Sequence, residues 1–482
     1  MQLEKLGAAV RTFPNSFSAH MAYGTALSDQ GQFTRALAQF DLALRLQPNN
    51  PAAVGDRGLT FLRLALANQD RDSLAWYRQL SSAQESLTRA LQLDPQLPEM
   101  HGDLGRLYHL TGDRDAAVRE FRLESALHPD SAEAWNNLGT ALGEAKNYDE
   151  AIASYQKALA IDLQCTSCLL NLESAIRSQD SRVAALARYK AQVAQSPRSP
   201  LAHLLYGMVL TADYQDDAAI TELNTALRSV PSLAAAHFYL GNLERHRGNR
   251  AAAEAQYRTA VALEPRRGEF YEALATVLLE QNRDQEAGDA LQKALALEPN
   301  TPSLHYKLAQ ILQRSGRTAQ AAHEREITDR LERADQAQAQ LALDISLGIG
   351  SLRSGNPADA VYHLRAALAL APNHPETNFY LGIALSQTGD ASESFQAFDK
   401  ALAGRPDSAE FHYNYGIALW QAGRADAAIA QFRRTLQIAP EHAMAHCALG
   451  MALVRKGGLQ EGKTEIARAQ QLGACAEHAP VP

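Results

Sequence analysis

The sequence predicts an all-α, right-handed superhelical solenoid of about thirteen helix-turn-helix repeats. Three observations lead there. Alanine recurs with a period of thirty-four residues, two runs of helically spaced apolar residues lie inside each period, and glycine and proline punctuate the runs at fixed places.

The period is visible in a single register. Ala117, Ala151, Ala185, Ala219, Ala253, Ala287 and Ala321 follow one another without a slip. Twelve residues after most of them stands a proline (Pro129, Pro197, Pro231, Pro265, Pro299), and twelve before stands a glycine (Gly105, Gly139, Gly207, Gly241). The frame continues outward through Gly24, Ala36 and Pro48. Beyond the block it runs through Gly348, Ala360 and Pro372, Gly382 and Pro406, Gly416, Ala428 and Pro440, and Gly450.

Each element has a physical reason. Trp135, Leu138, Gly139 and Leu142 make one apolar helical face, and Ala151, Tyr155 and Ala158 make a second. Glycines between the runs (Gly31, Gly112, Gly248, Gly316, Gly355, Gly389, Gly423, Gly457) suit the left-handed residue that ends a helix. The small Gly and Ala let two helices cross closely, and the late proline stops the second. Each unit is therefore an antiparallel helical hairpin whose apolar faces need neighbouring units to cover them.

This pattern resembles the tetratricopeptide repeat over almost the whole chain. The family motif is matched at Trp135, Leu138, Gly139, Leu142, Ala151, Tyr155 and Ala158, with Leu163 where the proline belongs. Units are placed at 17–50, 51–97, 98–131, 132–165, 166–199, 200–233, 234–267, 268–301, 302–335, 341–374, 375–408, 409–442 and 443–476. Residues 1–16 read as the second helix of a truncated repeat and 477–482 as a tail, so an upstream segment is expected. The frame breaks twice. The second unit carries about thirteen extra residues near 63–75, which either display Trp76 and Tyr77 or pack them on a lengthened hairpin. Residues 336–340 fall out of register inside a polar run, 318–340, that reads as one long helix. The break divides an N-terminal arm, 17–335, from a C-terminal arm, 341–476, with a bend expected between them.

The resemblance implies a concave groove lined by the second, fifth, ninth and twelfth residues of each unit. In the C-terminal arm these are Ile345, Ile349, Leu352, Phe379, Ile383, Tyr413, Ile417, Trp420, Cys447, Met451 and Val454, a nearly continuous apolar stripe. Uncovered apolar patches mark docking sites for peptides or helices. The competing reading is a self-contact or a dimer partner over the same stripe. The middle units are polar at these places (Asn242, Arg245, His246, Glu269, Glu272, Glu280, Gln310), as a solvated face or a second, polar binding region would be. No unit has the Lys and Asn pair of clamps for chaperone tails. Asn137, Asn171 and Asn414 are only a fragment of the asparagine ladder found in glycosyltransferase-associated superhelices.

Candidate chemistry is sparse. Histidine fills the fourth place of seven units (His20, His101, His203, His237, His305, His412, His446), without companions at metal-ligand spacing, and reads as packing. Cys165 and Cys168 form a lone CxxC, half a zinc site at most. Small-residue packing, a disulfide and a redox role all stand for it. With Cys447 and Cys475 the total of four is too few for a disulfide framework. Gly348 and Gly350 lie within a helix, and Arg353 stands where a nucleotide loop would need its third glycine. No cofactor or metal is expected, and the repeats leave no room for a catalytic domain.

Composition agrees. Apolar residues are 46%, globular rather than disordered, and no apolar run is long enough for a membrane span. A net charge of −8 argues against nucleic-acid binding, which needs a basic face. Lysine supplies only nine of forty-six basic residues, a bias expected of a bacterial protein. The N-terminus lacks the apolar core of a signal peptide, leaving cytoplasm and periplasm both open. The sequence thus predicts a non-catalytic scaffold that binds a protein or peptide in its groove. The alternative is a regulatory or substrate-recruiting segment of a larger enzyme or of a secretion or exopolysaccharide-export machine.

Overall fold

Helices begin where the repeat places a small polar residue and end where it places glycine. Ser16, Asn50, Ser131, Ser199 and Ser408 each accept the backbone N–H three residues on, from Ala19, Ala53, Ala134, Ala202 and Phe411. Gly112 and Gly389 end their helices with φ of 80° and 92°, a conformation that costs glycine little. The computed structural model describes residues 2–68, 70–179 and 182–475. Among them are twenty-six helices and no strand. Consecutive helices pair as antiparallel hairpins, as Ala132–Glu144 does with Tyr148–Ile161.

The register glycine explains how closely each hairpin closes. A Cβ at Gly139 would meet Cε1 of Tyr155 at 2.6 Å, and one at Gly241 would meet Cε1 of Tyr257 at 2.5 Å. Gly24 with Phe40, Gly105 with Phe121, Gly382 with Phe398 and Gly416 with Phe432 repeat the arrangement sixteen residues apart. On the second helices Ala36, Ala43, Ala151, Ala158, Ala253 and Ala260 are fully buried. A large side chain at any of these places would push the pair apart.

Successive hairpins are joined by the fourth-place histidines. His305 Nε2 bonds the carbonyl of Pro299 at 3.0 Å, and its Nδ1 meets Glu324 at 2.6 Å. His20 does the same with Pro14 and Gln39, His237 with Pro231 and Gln256, and His412 with Pro406 and Gln431. The proline that stops one unit leaves a carbonyl without a helical donor, and the next unit's first helix supplies one. Trp135 and Asn378 take the histidine's place at Pro129 and Pro372. These side chains pack, as the sequence suggests, and also carry the bond between units.

The chain forms two compact units, one of Pro98–Asp335 and the other of Met1–Leu97 together with Gln336–Pro482. The polar run near 336 belongs to a single helix, Thr318–Arg353, of thirty-six residues. Within the second of these units, the extra residues near 70 have a defined use. They separate helices of seventeen and twenty residues, Pro51–Ala67 and Leu74–Leu93, where thirteen or fourteen is usual in this chain. Asp72 accepts the backbone and side-chain N–H groups of Asn373 at 3.3 and 3.4 Å, and the Tyr77 hydroxyl donates to Asp72 at 3.2 Å. The Tyr77 ring stands edge-on to His374, 5.7 Å between centroids. Arg78 donates to the carbonyl of Ala403 and Arg405 to Gln84. Trp76 and Tyr77 are therefore buried, each 7% exposed, and not displayed. The insertion is a clasp onto repeats some three hundred residues away.

Replacing Gly241 with alanine should lower the thermal unfolding midpoint, at a cost of about 1–3 kcal/mol for overpacking against Tyr257. Gly350→Ala, where a Cβ meets nothing within 4 Å, should leave the midpoint unchanged or raise it slightly. Circular dichroism melts of the two variants make the comparison.

Candidate partner-binding groove

The C-terminal repeats bring most of the predicted stripe to a half-buried surface. Ile345, Ile349 and Leu352 on Thr318–Arg353, Ile383 on Pro375–Thr388, Tyr413, Ile417 and Trp420 on Ala409–Gln421, and Met451 and Val454 on Ala443–Arg455 are neither fully covered nor fully exposed. Each first helix lays its fifth, ninth and twelfth residues on one side because those spacings advance nearly whole turns. Ile383, Tyr413, Ile417 and Trp420 rest on a core of Phe379, Phe398, Phe411, Tyr415 and Phe432, which fixes their bases and leaves their tips available. Arg455 lies over the Trp420 ring, 5.3 Å from its centroid, placing a cation at one end of the apolar run. Tyr413 stacks at a tilt on His442, 4.9 Å away, and burial raises its hydroxyl pKa, so it stays neutral near pH 7.

Two predicted members do not line the surface. Phe379 is 1% exposed and stacks face to face on Phe411 at 4.3 Å, so no partner reaches it. The aromatic at the fifth place turns inward here because Phe411, in the next repeat, offers a flat face to stack on. Cys447 is also buried, and is bonded to Cys475. The second disulfide joins Cys165 and Cys168 of the CxxC, and the Cys165 sulfur also accepts the Cys168 N–H at the start of its helix. All four cysteines are thus paired, more cross-linking than their number suggested. Sequence reasoning also missed Met444, 50% exposed at a second place, because the polar residues usual there gave no reason to look for an apolar one.

In the unit Pro98–Asp335 several polar residues at or beside the groove places are engaged in ion pairs. Arg245 pairs with Glu280 at 3.0 Å, Lys307 with Glu272 at 2.8 Å, and His246 with Asp216 at 3.1 Å. Asn242 accepts the hydroxyl of Tyr257, whose pKa burial pushes up to about 12. Asn171 bonds Asn136, and Asn414, in the C-terminal repeats, bonds the carbonyl of Glu410 in its own helix. Pairs of this exposure contribute little each and leave little charge free for a ligand. Among the described residues no group of three His, Cys, Asp or Glu side chains is placed to hold a metal ion, and no helix is long and apolar enough to cross a membrane.

Comparison with known proteins agrees with the repeat geometry. Models of the tetratricopeptide repeat match residues 132–165, and 3–51, 346–409, 396–443 and 416–474. Further models of the same repeat match 275–316 and 77–142. This chain is a tetratricopeptide repeat protein. It is 24% identical over 183 residues to a peroxisomal targeting signal receptor of Candida albicans, covering 32% of this chain and 31% of the receptor. It is 26% identical over 217 residues to the human protein O-mannosyl-transferase TMTC1, covering 44% of this chain and 24% of that protein. The chain thus spans under a third of the length of these relatives. A solved thermophilic repeat protein of Thermus thermophilus is 27% identical, with a TM-score of 0.31, over 38% of this chain and all of that one.

The split between core and surface residues in this tetratricopeptide protein predicts contrasting costs. Phe379→Ala should destabilise by about 3–5 kcal/mol, as the loss of a buried ring does. Met451→Ala, at the half-buried surface, should cost about 1 kcal/mol or less. Chemical denaturation of the full chain followed by circular dichroism compares them. Similar losses for the two would show that the stripe is core throughout.

Proposed function

We propose that this protein is a non-catalytic interaction scaffold whose C-terminal repeats hold an extended peptide or a partner helix. The reading is carried by one observation. Ile345, Ile349, Leu352, Ile383, Tyr413, Ile417, Trp420 and Met451 remain half-buried along four successive repeats, while Arg245 and Glu272 at the same places in the middle repeats are held in ion pairs. Apolar side chains with anchored bases and accessible tips suit a partner's hydrophobic anchors, and fixed rings lose little conformational freedom on binding. The likeness to a targeting signal receptor supports recognition of a peptide.

A peptide library displayed on phage and selected on the immobilised full chain tests this. Enriched peptides should carry apolar or aromatic anchors, and Trp420→Ala combined with Tyr413→Ala should weaken them by about a hundredfold, the loss of two aromatic contacts. Peptides that bind the double variant as tightly as the parent would place recognition elsewhere.

A second reading is favoured by the likeness to the O-mannosyl-transferase, of which this chain spans a quarter. In it the repeats recruit or regulate for a catalytic or export domain in the same polypeptide. The parent reading frame distinguishes the two.

A further inference from the structure

We infer that the clasp between the insertion and the C-terminal repeats is pH-responsive, closed while His374 is neutral and released when that ring is protonated. The contact is not a by-product of the repeat. It is made by residues 72–84 of a hairpin with an insertion no other unit has, and it lands on the turn before Pro375–Thr388 and on the end of the helix Ala391–Gly404. At its centre His374 starts the helix Pro375–Thr388 as its N-cap. Its Nδ1 accepts the N–H of Thr377 at 3.3 Å and the Thr377 hydroxyl at 3.0 Å, and its ring packs against Tyr77. An imidazole can do this only with a free lone pair on Nδ1. The fourth-place histidines differ: both of their ring nitrogens meet side-chain or carbonyl partners, and protonation costs them no N-cap.

The groups facing His374 are already engaged. From the insertion, Asp72 holds Asn373 and Tyr77. From its own helix, Glu376 stands 3.6 Å from Nδ1 but is bonded to Arg405, a cation that itself opposes a second charge. Burial is the largest influence on the ring and holds its pKa below the ordinary 6.5, against the pull of Glu376 and Asp72. A base whose pKa is lowered in the closed form favours closure fully above about pH 6.5, and that contribution is lost as the pH falls through the lower value.

Hydrogen exchange of the full chain at pH 7.5 and 5.5, corrected for intrinsic rates, reads the clasp from both sides. In the parent, amides of 74–80 and of 371–378 should lose protection together on acidification, by up to about tenfold, the ceiling for one group of ordinary pKa 6.5 at pH 5.5. His374→Asn keeps a capping acceptor, as Asn50 provides in its own helix, and removes the titration. Its protection should match the parent at pH 7.5 and change little at pH 5.5. Three results would overturn the inference: an unchanged parent, the same acid loss in His374→Asn, or loss confined to 374–378, which is fraying of the cap with the clasp still shut.

Discussion

Everything in this molecule depends on how closely two helices approach within a hairpin. Gly139 under the ring of Tyr155, repeated at Gly241 and Tyr257 and at Gly416 and Phe432, sets that distance. A residue with no side chain faces the largest one, so the ring fills the gap that a Cβ would otherwise hold open. The fully buried alanines at Ala151, Ala158, Ala253 and Ala260 continue the same close contact along the second helix. Most hairpins meet this constraint with a glycine in the same register, so each offers its neighbour a similar surface and the repeats stack.

Stacking leaves a recurring polar problem, and the histidines answer it. The proline that ends most units frees a carbonyl near the next unit's first helix. A fourth-place donor satisfies it, whether His305, Trp135 or Asn378. That three chemically different side chains serve the same carbonyl argues that the bond, rather than any property of imidazole, is what the position requires. His374 lies outside this series, at a cap, and there the chemistry of the ring matters.

The groove and the clasp are both departures from uniform repetition. In the C-terminal repeats, aromatic and branched side chains occupy places that in the middle repeats include Asn242, Arg245 and Glu272. In the clasp, an insertion that a single hairpin could not bury finds cover on another part of the same compact unit. Asp72, Tyr77 and Arg78 supply polar ends to that contact, which keeps it specific to the turn at Asn373 and His374.

The sequence by itself determined the all-helical class, the register and the family, since a period of thirty-four with glycine, alanine and proline in fixed places admits few other structures. It determined the long polar helix too, because nothing in 318–340 stops one. The stripe was legible as positions on a helix face, but periodicity reports only direction. Whether Phe379 points to a partner or stacks on Phe411 depends on what the adjacent repeat presents. The burial of Trp76 and Tyr77 and the pairing of Cys447 with Cys475 were decided by tertiary structure alone. These contacts join residues that no local pattern relates, and their energies exist only once the backbone has brought them together.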